Sequence, residues 1–180
     1  MKNAIRILVL IILTASMTSC DWIKGLTDVE IDTTIEGTLN ILTDEAELKS
    51  TDAYRLDAST TITVLNSDLE DYAELIEDYE TQNITIEVLY VDTEGVMILA
   101  GSEFSIYSQK NPGYTWPVPT DWPIEVGFTA TLEADSYSVI DELLDAGDPI
   151  TFSAFGTCNK GDVTIGLNYG IKVLVTSNPL

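Results

Sequence analysis

Beyond residue 28 the apolar positions follow two different periods. Val29, Ile31, Thr33 and Ile35 alternate with polar neighbours, which puts one face of a β-strand against a core. Gly37 interrupts the run, and Leu39, Ile41 and Leu42 resume it as though past a bulge. A second strand is expected over 54–65, with Ile62 and Val64 on one face. The period then lengthens. Leu69, Tyr72, Leu75, Ile76 and Tyr79 form a stripe at helical spacing. Glu70 stands three residues after Ser67, as in a capping box. Glu70, Asp71, Glu74, Glu77, Asp78 and Glu80 cover the other face. Strands over 84–91 and 96–107 flank Asp92-Thr93-Glu94-Gly95, a hairpin turn in which Gly supplies a positive φ.

The pattern then recurs. Residues 128–132 read as a strand, and Asp135 or Ser136 caps a helix whose stripe is Tyr137, Ile140, Leu143 and Leu144. Gly147 and Pro149 stop it. Strands over 150–155 and 163–175 flank the turn Asn159-Lys160-Gly161-Asp162. Setting Leu75-Ile76-Glu77 on Leu143-Leu144-Asp145 brings Ile84-Thr85-Ile86 onto Ile150-Thr151-Phe152 and Gly95 onto Gly161. The expected fold is therefore α+β: antiparallel sheet carrying two amphipathic helices, with a duplicated βαββ unit over 54–108 and 122–177. A β-sandwich with two helical insertions is the alternative. Residues 29–180 form one domain in either case.

The first 28 residues are of another kind. Lys2 and Arg6 precede an aliphatic run over 7–13, and small or polar residues fill 14–19 before Cys20. That order is the order of a signal peptide, and the apolar run is too short to span a bilayer, which takes about 20 residues. Met17-Thr18-Ser19-Cys20 resembles the lipobox of bacterial lipoproteins, with Met17 where that family more often has Leu. The resemblance covers the first 20 residues only and implies lipid on the Cys20 thiol after cleavage of residues 1–19. Residues 20–28 then read as a tether. It also implies a location outside the cytoplasm, at the cell membrane or the outer membrane.

Charge changes how that anchor is understood. The chain carries 30 acidic and 8 basic residues, a net charge of −22. Loss of Lys2 and Arg6 with the leader would take it to about −24. Such a surface repels nucleic acid and anionic headgroups, so a lipid tail is what would hold the domain at a membrane. At 45% apolar residues, the sequence supports a core and argues against disorder. With Cys20 on lipid, Cys158 has no partner for a disulfide and reads as a small buried residue.

The chain contains no His, and it shows no Gly-rich phosphate loop, nucleophile elbow or Cys pair for zinc. No enzyme activity, cofactor or metal site is expected. The acidic loops around Asp92 and Glu94, and around Asp44, Glu45 and Glu47, offer oxygen ligands that Ca²⁺ would accept, but they lack EF-hand spacing. They read as solvated loops. The remaining candidate is 111–123, where four prolines hold the chain extended and keep it out of a sheet interior. Tyr114, Trp116 and Trp122 there offer flat faces at low entropic cost, with carboxylates nearby for a sugar; alternatively the rings fold back and seal the core. The expected function is non-enzymatic binding of a ligand or partner, with an envelope protein or a glycan as the expected partner. The alternatives are a purely structural envelope lipoprotein and a carrier of apolar molecules.

Overall fold

The alternation that starts at Val29 becomes β1 (Val29–Leu42), an unbroken 14-residue strand. It opens a chain whose remaining elements are β2 (Glu47–Leu48), β3 (Ala53–Ile62), β4 (Ile76–Val91), β5 (Met97–Ile98), β6 (Glu103–Tyr107), β7 (Tyr114–Pro117), β8 (Trp122–Pro123), β9 (Thr129–Thr131), α1 (Ser138–Asp145), β10 (Ile150–Cys158) and β11 (Thr164–Ser177). This computed structural model describes residues 29–44, 47–48, 53–65, 68–134 and 137–178. The expected leader, tether and Cys20 lie outside the described residues, as do the helix-capping candidates Ser67, Asp135 and Ser136.

Two antiparallel sheets face each other. One has the order β1-β11-β4-β9; the other runs β2-β3-β10-β5-β8, with β6 lying between β10 and β7. From β1 the chain crosses to β3, back to β4, over to β6 and its hairpin partner β7, back to β9, over to β10, and returns as β11 beside β1. That is jelly-roll connectivity, two Greek keys wrapped into a sandwich.

The α+β expectation is therefore wrong, and the failure falls on one segment. Instead of a helix, the 69–79 stripe forms a single 3-10 turn, Glu70–Tyr72, followed by strand β4. Like charges at Glu70 and Glu74, and at Glu74 and Asp78, oppose each other one helical turn apart. No basic residue lies between 66 and 82 to relieve them. Tyr79 and Thr81, and beyond a register shift Ile84, Ile86 and Val88, instead alternate inward as a strand. The ladder from Ile76–Ser177 to Val91–Ile165 then overrides the local periodicity. The second predicted helix does form, as α1, with Ile140, Leu143 and Leu144 buried.

The two expected βαββ units are not separate blocks. Strands that correspond between them (β3 with β9, β4 with β10, β6 with β11) lie in opposite sheets. β4 sits between β9 and β11, and β10 sits between β3 and β6. The stretches interleave as paired Greek keys do.

Gly37 is no bulge. It pairs in register with Tyr169, and a Cβ there would lie 2.1 Å from the Tyr169 hydroxyl. The glycine leaves room for that ring, which stacks on Phe152 of the opposite sheet at 4.2 Å and 9°. Burial pushes the Tyr169 hydroxyl up to about 12, and the oxygen has no hydrogen-bond partner among the described residues. Cys158 is fully buried, and burial likewise raises its thiol.

At one end of the sandwich the turns are tied to one another. Thr43 Oγ1 accepts from the Val163 amide at 3.0 Å and donates to the Lys160 carbonyl. Asn159 Oδ1 accepts from the Met97 amide at 2.7 Å. Asp92 accepts from the Thr164 amide, which holds its carboxyl below the usual carboxylate range. At the other end α1 finishes an exposed stretch of β4. Asp141 accepts from the Thr81 amide at 2.7 Å and Asp145 from the Tyr79 amide at 3.1 Å, where β9 no longer reaches.

Candidate functional site

β7 is the edge of one sheet and β9 the edge of the other. Between them the sandwich has a lateral seam, and the proline-rich segment runs along it. The chain enters this segment through Gly113, whose φ of +63° and closeness to the Ile106 carbonyl admit no side chain. Asn111 Oδ1 accepts from the Gly113 amide at 2.9 Å and fixes the turn. Tyr114 then pairs with Ile106 and Trp116 with Phe104. Their rings point inward, while Ser105 and Thr115 bond through their hydroxyls at 2.9 Å on the other face. Pro117 ends the strand and Pro123 ends β8, both at edges where no amide donor is needed.

Tyr114, Trp116 and Trp122 converge on one cleft of about 370 Å³ in this seam. That is within the range of small-ligand pockets, roughly 300–1,000 Å³. Phe104 and Leu132 form part of its floor, and Thr120, Asp121, Thr131 and Glu133 its polar rim. The three aromatic rings differ in role. Trp116 is 6% exposed, and its indole N–H donates to the Glu133 carbonyl at 3.0 Å. It clamps the β7 edge to the segment after β9. Tyr114 and Trp122 are half-buried and keep part of their surface open to the cleft. Tyr114 tilts against Trp116 at 4.8 Å, and Trp122 stands edge-to-face against Phe104 at 5.3 Å. Trp122 also meets Phe128, 41% exposed, at 5.9 Å.

Asp121 Oδ1 accepts from the Ala100 amide at 3.0 Å, which pins the loop. The Asp121 and Glu133 side chains are both exposed at the rim. Sequence reasoning singled out neither of them, nor Phe104 or Phe128. Asp121 sits inside the proline-rich segment and could have been found beside Trp122. Phe104 reads as core because it lies in an alternating strand. Nothing in the sequence marks Glu133, because only the packing of β9 against β7 brings it to Trp116.

The acidic loops behave otherwise. Asp92, Thr93, Glu94 and Glu125 line a separate depression of about 390 Å³. Lys160 Nζ donates to the Glu94 carbonyl there. Among the described residues no group of three or more His, Cys, Asp or Glu could hold a metal ion. Glu45 and the side chain of Glu47 lie outside the described residues. No described helix is long and apolar enough to cross a membrane.

Fold and site thus define a jelly-roll β-sandwich with an aromatic cleft in its lateral seam. No protein-family model matches the chain, and no curated sequence matches it. Among solved structures it is similar to a chain described as Desmodium yellow mottle tymovirus, at 13% identity and a TM-score of 0.36. The match covers 83% of this chain and 90% of that one. A likeness that remote carries no statement about activity.

Proposed function

We propose that the protein is an extracytoplasmic lipoprotein, held to a membrane through lipid on Cys20, whose jelly-roll domain binds a ligand in the cleft between β7 and β9. One observation carries the binding half of this reading: Tyr114 and Trp116 of β7 and Trp122 of β8 line a single cleft with exposed carboxylates at its rim. Pockets that are mostly apolar, with a few polar groups at the edge, are the usual form of a ligand site. The anchoring half rests on the signal-peptide pattern and lipobox of residues 1–20. Residues 20–28 would reach about 30 Å when extended, enough to hold the domain clear of the headgroups.

Labelled palmitate tests the anchor. The wild-type chain is expected to incorporate it and Cys20→Ala to lose it; equal labelling of both would overturn the anchor. Collisional quenching of a Trp22→Phe chain, which leaves Trp116 and Trp122 as its tryptophans, tests the cleft. Trp122 is expected to be reached by acrylamide and Trp116 to be shielded; shielding of both would leave the rings as packing alone and favour a purely structural lipoprotein.

A further inference from the structure

Resting on the reading of the cleft as a ligand site, we infer that its ligand is a neutral saccharide, one ring of which stacks on Tyr114 or Trp122 while its hydroxyls donate to Asp121 and Glu133. Three features of the cleft support this class over others.

The first is the chemistry of the rim. Its side-chain polar groups are the carboxylates of Asp121 and Glu133 and the hydroxyls of Thr120 and Thr131, and among the described residues no Lys or Arg lines the cleft. Ionised carboxylates only accept. The two carboxylates therefore favour a ligand that brings donors, while the Thr hydroxyls can take either role, and on a chain of net charge −22 an anion is repelled. Sugar hydroxyls and cationic amines both meet this demand.

The second feature separates those two. Recognition of an onium cation uses ring faces gathered around it as a cage. Here the rings pack tilted or edge-on against one another, Tyr114 against Trp116 at 4.8 Å and Trp122 against Phe104 and Phe128 at 5.3 and 5.9 Å, so these pairs do not stand apart around a gap that a cation could fill. The half-buried ring of Tyr114 or Trp122 suits a flat ligand with an apolar face, and a pyranose presents its C–H face in that way while its hydroxyls project outward to the rim.

The third feature excludes a fatty chain. The space between the sheets is filled by the side chains of Phe152, Tyr169, Ile86 and Leu167, each at most 1% exposed, so these described residues leave no apolar channel behind the cleft. It is a surface seam, edged by the exposed Pro117, Pro119 and Asp121. A ring that belongs to a longer chain can enter it.

The test uses the full-length lipoprotein in micelles of a detergent without a sugar headgroup. It is titrated by calorimetry and by tryptophan emission with glucose, mannose, galactose and N-acetylglucosamine oligomers of about two to five rings, with choline, and with a fatty acid. Saturable binding of at least one saccharide is expected, with Trp122→Ala weakening it about tenfold or more, as buried aromatic anchors do. Glu133→Gln, on an exposed side chain whose loss leaves the fold intact, is expected to weaken it several-fold, and Asp32→Asn, remote from the cleft, to leave it unchanged. If Trp122→Ala fails to fold, Glu133→Gln carries the test. Saccharide binding that neither Trp122→Ala nor Glu133→Gln weakens would overturn the assignment. Binding of choline or fatty acid without any saccharide would overturn the saccharide assignment and keep the cleft as a ligand site. No saturable binding by any probe would overturn both.

Discussion

The two sheets of the sandwich are built on different terms. The sheet of β1, β11, β4 and β9 rests on three strands of 14, 14 and 16 residues. Its inward positions are mostly Ile, Leu and Val: Ile35, Leu39, Ile84, Ile86, Val88, Leu167, Ile171 and Val173 are all within 1% of full burial. In the opposite sheet β5 and β8 have two residues each, β7 has four, and β10 runs past β5 and β6 in turn. Its inward side chains include Phe104, Trp116 and Phe152. Long ladders of β-branched residues need nothing else to close. Short, proline-bounded strands run out of backbone partners, and large rings fill the gap and leave a seam. The aliphatic sheet is the frame, and the aromatic sheet supplies the rings of the candidate site.

The largest effect should come from the point where the two sheets are joined. Phe152 stacks on Tyr169 across the sandwich and lies 6.5 Å from Phe104. Phe152→Ala is expected to cost about 3–5 kcal/mol in denaturant unfolding, the range for a buried Phe. A loss under about 1 kcal/mol would mean that the frame stands without this stack. Gly37→Ala comes next, on the frame itself. The new Cβ collides with the Tyr169 ring, and overpacking of this kind costs about 1–3 kcal/mol. The nearest atoms all belong to Tyr169, so a double-mutant cycle with Tyr169→Leu should remove most of the penalty. An undiminished penalty would put the strain in the backbone.

How much of this was legible follows the same division. Strand alternation at Val29–Ile35 and at Ile84–Val88, the turns at Gly95 and Lys160–Gly161, and helix α1 all state themselves locally, because each period is set by neighbours in sequence. The 69–79 segment does not. Its stripe fits a helix; the like charges one turn apart argue against it, but the partner strand β11, nearly a hundred residues away, decides the outcome. Gly37 was legible as an interruption, but its cause, the Tyr169 ring, belongs to another strand. The cleft was half legible: Tyr114, Trp116 and Trp122 stand out on a proline-rich segment, whereas Glu133 and Phe104 join them only through packing. Burial of Trp116 beneath the seam could not be read from its spacing either.

Tyr169→Phe sharpens the account of the join in the opposite direction. The ring is needed, but the hydroxyl is buried and has no partner among the described residues. Removing it should stabilise the protein by about 1 kcal/mol, because an unsatisfied buried polar group is a net cost. The alkaline limb supplies a second check. The folded hydroxyl titrates at about 12 against an ordinary 10.0, so between those values the unfolded chain loses its proton first. The stability that this residue contributes is complete below pH 10 and lost as pH rises through 12. Tyr169→Phe should flatten that part of the profile; an unchanged slope would show that the hydroxyl is solvated.

The smallest effect lies where α1 closes the edge of the frame. Partial burial raises the Asp145 carboxyl above the usual carboxylate range; the bond it accepts from the Tyr79 amide pulls the other way, and the charges of Asp78 and Asp141 add to the upward shift. The folded group therefore binds its proton more readily than the unfolded one. The stability linked to that proton is complete below pH 3.8 and lost as pH rises through the folded value. Asp145→Asn keeps an oxygen for the amide and removes the charge. The side chain is exposed and solvent screens it, so the variant should match the wild type at low pH. At neutral pH it should exceed the wild type by only about a few tenths of a kcal/mol. A variant that is less stable than the wild type at neutral pH would show that the charge itself, more than the acceptor, holds α1 against β4.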